Sequence, residues 1–341
     1  MQIERIDLAD DDVLRACHAV HAAAAAADDP QGEPPGSPRT LKAWLTPGWS
    51  GEPSEAWYVP TDSAAGPAGE CGPVAAWYRI QFPDLENRDR AFLSPVVHPG
   101  LRQRGLGTEM IMHARGRAAA QGRAFIDSQT IHGSAGEAFA RHLGAEAGIL
   151  DARRILDVRT VPAGRFTELR ETAAGHAAGY SLVSWTGATP EDRRAQVAGV
   201  INAMNDAPRE EGWFEDDIWD AERVRTRGDS RVRLAGHRGY SVAAVHDETG
   251  EMAALTQVGV DPAEPAWGHQ GLTAVTRPHR GHRLGLFTKA ALMAWLVAAE
   301  PRLERVTTTN ASVNSHMIAV NEELGYRLAE PGYQFFALPV S

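Results

Sequence analysis

Apolar and polar positions along the chain fall into one series of elements that occurs twice. Helical periodicity runs over 10–27 and again over 190–205. Each helix precedes two strand-like apolar runs around a turn, 57–59 and 74–80 in the first copy, 240–245 and 252–258 in the second. Asp247-Glu248-Thr249-Gly250, between the latter two, is a strong turn signal. A further strand then enters a glycine-bearing loop and a helix: 92–97 before 107–121, and 270–275 before 286–300, with Gly122 and Pro301 just past the helix ends. Another strand and a shorter helix close each copy, at Leu143-Gly144-Ala145 and Leu324-Gly325-Tyr326. Segments 28–37 and 64–72 read as Pro/Gly-rich loops, and the alanine run 22–27 as a helix end.

The two copies also align by residue. Gly72, Ala75, Ala76, Val97, Arg102, Leu106 and Gly107 match Gly250, Ala253, Ala254, Val275, Arg280, Leu284 and Gly285 at a separation of 178, which drifts to 181 for Gly144 and Gly325. An Arg-x-x-x-Leu-Gly after a valine at the same place in both copies is the most telling part. The expected organisation is a first domain over 1–160, a linker over 161–178 and a second domain over 179–341, and 341 residues suit two domains of roughly 100 to 200 each.

Composition narrows the chemistry. A hydrophobic fraction of 43% with 23% charged residues is that of an ordinary globular protein. The acidic surplus, 44 Asp+Glu against 34 Lys+Arg, argues against a nucleic-acid partner and suits a cationic substrate. Two cysteines, Cys17 and Cys71, are too few for a disulfide framework or a cysteine-based zinc site, and no metal is expected. The start has no basic segment followed by an apolar one, and the most apolar later run, 290–299, is short of the ~20 residues that span a bilayer. No membrane partner and a cytoplasmic location are therefore expected.

The candidate ligand loop is Val97-His98-Pro99-Gly100-Leu101-Arg102-Gln103-Arg104-Gly105-Leu106-Gly107-Thr108. Its glycines let backbone approach a ligand, and the first amides of the following helix suit a pyrophosphate. A Walker loop is excluded because no Gly-Lys-Ser/Thr follows, and the Rossmann fingerprint is incomplete. The pattern Val-x-Pro-x-x-Arg-x-x-Gly-x-Gly resembles the acyl-CoA pyrophosphate motif of the GNAT N-acyltransferase superfamily, and 97–107 matches it in full. The second copy, Val275-Thr276-Arg277-Pro278-His279-Arg280-Gly281-His282-Arg283-Leu284-Gly285, is similar, with the proline one place later and Arg283 at the first glycine. That arginine puts tight cradling in doubt, or contacts phosphate through its own guanidinium. Segment 309–326 resembles the last core strand and helix of the C-terminal half of tandem GNAT proteins common in actinobacteria, a group that includes mycothiol synthase; 203–208 resembles another part. The resemblance implies an α/β (α+β) fold class: two tandem GNAT folds, each a mixed, mainly antiparallel central sheet flanked by helices.

It further implies acetyl-CoA as cosubstrate, bound by Val97, Arg102, Gln103, Arg104, Gly105, Leu106, Gly107 and Thr108 in the first copy. In the second the corresponding residues are Val275, Arg280, Gly281, His282, Arg283, Leu284 and Gly285, with Asn314 on the pantetheine arm or capping the last helix. An attacking amine must be neutral, whereas an alkyl ammonium has a pKa near ~10, so a base or ordered water is needed. In the family a carboxylate about six residues before the valine often serves; here His269 and Ala91 stand there. His269 is the candidate base, or a structural residue beside Trp267. The family's tyrosine, four residues before the helix-ending glycine, is replaced by Ala140 and Asn321. Chemistry is therefore expected in the second half. Segment 206–222 carries eight carboxylates interleaved with aromatics; Trp213, Glu215, Asp216 and Trp219 are candidate substrate contacts, or part of a solvated acidic face. The expected activity is acyl transfer, most simply acetyl, from CoA to an amine of a small molecule by a monomer or homodimer. A non-catalytic acyl-CoA sensor or scaffold and an aminoacyl-tRNA-dependent transferase are the alternatives.

Overall fold

The computed structural model describes residues 1–46, 51–61, 72–206 and 214–341. The chain divides into two compact units: Met1–Asp151 with Glu210–Glu215 and Pro331–Ser341, and Ala152–Arg209 with Asp216–Glu330.

In unit 1, β1 (Glu4–Arg5), α1 (Asp11–Asp28), α2 (Pro38–Leu45), β2 (Ser54–Pro60), β3 (Val74–Gln81) and β4 (Arg90–Val97) come first. They are followed by α3 (Leu106–Ala120), β5 (Phe125–Ile131), α4 (Ala135–His142) and the first half of β6 (Glu146–Asp157). The last strand of the chain, β13 (Tyr333–Pro339), also lies here, antiparallel between β5 and β6. The sheet order is β1-β2-β3-β4-β5-β13-β6. Neighbours are antiparallel except β4 and β5, which are parallel, as their connection through α3 requires. One face packs Met110, Ile111 and Ala114 of α3 and Phe139 of α4 over Ala91 and Ile126; the other packs Leu14, Cys17 and Val20 of α1 and Leu41 and Leu45 of α2 over Trp77.

Unit 2 repeats the plan. It holds the second half of β6, α5 (Arg165–Ala174), β7 (Tyr180–Thr186), α6 (Arg194–Asn202), α7 (Ala221–Arg227), β8 (Arg238–His246) and β9 (Met252–Val260). Then come β10 (Trp267–Val275), α8 (Leu284–Ala299), β11 (Arg305–Ala311), α9 (Ser315–Leu324) and β12 (Arg327–Leu328). Its order is β6-β11-β10-β9-β8-β7, with β12 beside β6 and β10 parallel to β11. Val197, Ala198 and Val200 of α6 and Val224 of α7 cover one face, and α8 with Leu324 of α9 the other.

Unit boundaries fall elsewhere than the sequence places them. The division lies inside β6, between Asp151 and Ala152, and Pro331–Ser341 groups with unit 1. The expected linker 161–178 contains α5, whose Phe166, Leu169 and Ala173 are buried in the core beside α8. This also accounts for a difference between the copies. α3 keeps polar residues on its outer side, whereas α8 is apolar almost all round and buries ten of its residues, because the sheet lies on one side and α5 on the other.

Candidate functional site

In both units the parallel strand pair opens. β4 and β5 pair only at Arg90–Phe125, Ala91–Ile126 and Phe92–Asp127, and β10 and β11 only at Trp267–Arg305, Gly268–Val306 and His269–Thr307. Beyond these the strands part, leaving main-chain groups of the inner edges free of that ladder. β4 and β10 then run through short 3-10 turns, Pro99–Leu101 and Arg277–His279, into α3 and α8.

These loops share one backbone path. Gln103 (φ 63°) and Gly105 (φ 82°) are left-handed in the first, and at the matching places Gly281 (φ 92°) and Arg283 (φ 52°) in the second. Arg283 therefore adopts the turn that glycine makes in the first copy, at about 1–2 kcal/mol for a non-glycine residue. Its guanidinium is engaged by Glu323, 2.6 Å from each carboxylate oxygen. Arg102 makes a bidentate pair with Asp28 (2.6 and 2.7 Å), and Arg280 donates to Asp206 at 3.0 Å. The ring of His282 lies 5.3 Å from that of Tyr180. Leu106 and Leu284 are buried in the cores, and a side chain at Gly107 would press on Phe139 at 3.2 Å, so its glycine serves helix packing. A Cβ at Gly105 would enter open space. Val97 and Val275 pair with Ala76 and Ala254.

Two features fit an anionic ligand such as the pyrophosphate of acetyl-CoA. Neither α3 nor α8 has a side-chain cap, a state they share with α5 and α6, whereas Asp10, Ser37, Ser134, Asp220 and Asn314 cap α1, α2, α4, α7 and α9. First-turn N–H groups of α3 and α8 thus keep capacity to donate, at helix ends where the dipole favours negative charge. Gln103, Arg104, Gly105 and Thr108 are exposed around the first of these ends, as are Gly281 and His282 around the second.

Strand β10 has an irregularity that β4 lacks. Register against β9 shifts between Gln270 and Thr273, where Gly271 and Leu272 stand opposite the single residue Gln257. The side-chain amide of Gln270 donates to the Gln257 carbonyl at 2.7 Å, satisfying an acceptor beside the bulge. In β4 the register is continuous, so the structural counterpart of His269 is Phe92, not the Ala91 that residue counting gives. His269 Nε2 lies 3.3 Å from a guanidinium nitrogen of Arg231, in a single π-helical turn at Arg231–Ala235. A guanidinium only donates, so in this arrangement Nε2 is the acceptor.

Asn314 accepts from the Met317 amide at 3.2 Å and caps α9. Asn321 is fully buried and its side-chain amide donates to the Asn310 side chain at 2.7 Å, while its own side-chain oxygen has no partner. Tyr326 is deep in the unit 2 core and its hydroxyl is held above the usual phenol range by burial.

Among the described residues the acidic segment divides between the two units. Trp213 lies outside the described residues. Glu215 belongs to unit 1, where its carboxylate accepts from the Asn87 amide (2.7 Å) and its own amide donates to the Asn87 side chain (2.8 Å). Asp216 groups with unit 2. Trp219 exchanges two hydrogen bonds with Asn202 (2.8 and 2.9 Å), packs into the core and lies under Arg223 at 4.7 Å.

A carboxylate that residue counting misses is Asp127 on β5, opposite Phe92 where the strands part. It is fully buried; one oxygen accepts from Arg90 at 2.6 Å and the other has no partner. Burial raises its pKa, and the Arg90 hydrogen bond and charge oppose that only in part. On the same side of the sheet the rings of Phe92 and Phe214 are 5.9 Å apart, and those of Phe214 and Phe335 6.5 Å. The signal was absent from the sequence because the strand carrying Asp127 follows the loop, while the family pattern points to the strand before it. Among the described residues no group of three or more His, Cys, Asp or Glu is placed to hold a metal ion, and no helix is long and apolar enough to cross a membrane.

Neither a protein-family model nor a curated protein matches the sequence. Solved structures do. A tandem GNAT protein from the clavulanic acid biosynthesis pathway is 27% identical over 100% of this chain and 98% of its own, with a TM-score of 0.78. A GCN5-related N-acetyltransferase from Sphaerobacter thermophilus is 15% identical over 99% and 95% (TM-score 0.62). A glucosamine N-acetyltransferase region of a fungal multi-domain β-N-acetylglucosaminidase is 12% identical over 98% of this chain and 38% of that one (TM-score 0.61). The chain has the tandem GNAT fold, a mixed α/β architecture with a mainly antiparallel sheet in each unit.

Proposed function

We propose that this tandem GNAT-fold chain is an acetyl-CoA-dependent N-acetyltransferase that acetylates an amine of a small molecule. The observation that carries the reading is the repeated donor geometry: an opened parallel strand pair leading through a doubly left-handed turn to a helix start without a side-chain cap. Likeness to N-acetyltransferase structures over the whole chain supports it.

In each unit the first-turn amides of α3 or α8 bind the pyrophosphate, and the parted strand edges orient the arm. When bound, acetyl-CoA supplies the thioester carbon to which the amine nitrogen adds as the carbon–sulfur bond breaks. What the chain must do is deliver a neutral amine and take up its proton. We place this chemistry in unit 2, where the bulge of β10 turns Gly271 and Leu272 out of the ladder and His269 stands two residues upstream. To accept the proton at Nε2, His269 must exchange the Arg231 contact for the amine. A second reading is favoured by Asp127: a buried carboxylate with a raised pKa and one unpartnered oxygen, at the opened strands of unit 1, is itself a base candidate beside the intact glycine loop.

The test is release of CoA thiol with an amine panel, scored by mass spectrometry for an acetylated product. Stoichiometric acetyl-CoA binding without product for any amine would leave a sensor or scaffold as the reading; no binding would overturn it.

A further inference from the structure

One ion pair recurs behind both donor loops. Arg102 holds Asp28, and Arg280 holds Asp206. The aspartates are separated by the same 178 residues as the arginines, so both partners belong to the repeat. Asp28 is the last residue of α1, and Asp206 the last of the 3-10 turn Ala203–Asp206 that extends α6. Each therefore stands where the chain leaves α1 or α6 for the segment leading to α2 or α7. Each arginine immediately precedes the first left-handed residue of its turn, Gln103 or Gly281.

A guanidinium that faces a carboxylate has its charge balanced and its donor fork occupied. We infer that Asp28 and Asp206 are positioning residues: they hold Arg102 and Arg280 away from the phosphates, fix the start of each turn so that its backbone amides face the ligand, and fasten the donor loop to the helix on the opposite sheet face. This rests on the proposed reading of the loops as acetyl-CoA sites. It assigns the motif arginine a role in holding the turn in place of direct phosphate contact.

The two roles predict opposite signs. Asp28→Asn loses the carboxylate's charge and one of its two acceptor oxygens at nearly constant shape. If Arg102 is a tether, acetyl-CoA affinity at unit 1 falls by about 5-fold or more by calorimetry. Amide exchange over 102–106 in the unliganded protein accelerates by about 10-fold. Asp28→Glu, which keeps the charge, and the reversed pair Asp28→Arg/Arg102→Asp both recover most of the loss. Unchanged or tighter binding in Asp28→Asn, with unchanged exchange, would overturn the inference, because the released guanidinium would then serve the phosphate itself. A reversed pair that folds yet stays as weak as Asp28→Asn would also overturn it. Exchange is read without ligand, so a wild-type protein that binds no acetyl-CoA would sink the proposed function while this test still decides the tether.

Discussion

Replacing Lys289 by Met should stabilise unit 2 in a strongly pH-dependent way. Lys289 is 1% exposed on α8, with Nζ 5.1 Å from the centroid of the Tyr326 ring. Ile111 stands at the matching place on α3, in the apolar core of unit 1. Burial lowers the lysine from 10.5 to about 7. The unfolded chain then keeps this proton up to about pH 10.5 and the folded chain only to about 7, so between them the unfolded state binds more protons and stability rises with pH. Integrating between these two values gives a cost to the fold of about 4 kcal/mol at pH 7, about 3 at pH 8 and about 1 at pH 10. Methionine keeps the unbranched length without the charge. Urea unfolding of both proteins from pH 7 to 10 should show Lys289→Met more stable at pH 7 by several kcal/mol, with the gap closing by roughly 3 kcal/mol toward pH 10. A gap that does not change with pH, or a variant less stable at pH 7, would refute the reasoning, since the amine would then have to be solvated or compensated in the fold.

Three further outcomes bear on the site. Gly105→Glu should weaken acetyl-CoA binding at unit 1 by at least ~10-fold, through strain at a φ of 82° and a negative charge beside the phosphates; unchanged calorimetric affinity would remove that loop from the site. His269→Ala should lower turnover by ~100-fold or more near neutral pH with little change in acetyl-CoA affinity, and recover as pH approaches the acceptor's own pKa; wild-type rates across roughly pH 6 to 9 would make the residue structural. Asp127→Asn should leave turnover within a few-fold if unit 2 does the chemistry, whereas a loss of ~100-fold, with His269→Ala silent, would move the reaction to unit 1.

Much of the architecture is legible in the residue pattern because each element carries its own local signal. Helix α1 is framed by Asp10 and an apolar stripe through Leu14, Cys17 and Val20, and the two glycine-bearing loops sit between apolar strands and periodic helices. The remainder depends on pairing between distant segments. Nothing local in 331–341 tells that β13 inserts between β5 and β6 of the first unit, and helix α5 hides in a stretch whose moderate polarity reads as a linker until α8 is seen to bury its outer side. Asp127 likewise becomes notable only when β5 is laid against Phe92 at the point where the strands part.

The bulge in β10 shows how one unpaired residue redirects a functional argument. Counting back six positions from Val275 and from Val97 gives His269 and Ala91, and so suggests that only the first copy has lost a polar group there. Because β10 carries one more residue than β4 between matched pairs, the counterpart of His269 is Phe92; the face that holds His269 and Thr307 in unit 2 therefore holds Phe92 and Asp127 in unit 1. Each copy thus has a histidine or a carboxylate at its opened strands, on opposite members of the pair. The loops show the same kind of exchange, with glycine at the second left-handed position in one and at the first in the other. A difference in sequence between the copies is in both places a redistribution of one geometry over two strands or two turn positions. Loss of function in either half consequently does not follow from the departure of Arg283 or of Phe92 from the pattern, and has to be decided by the paired substitutions at His269 and Asp127.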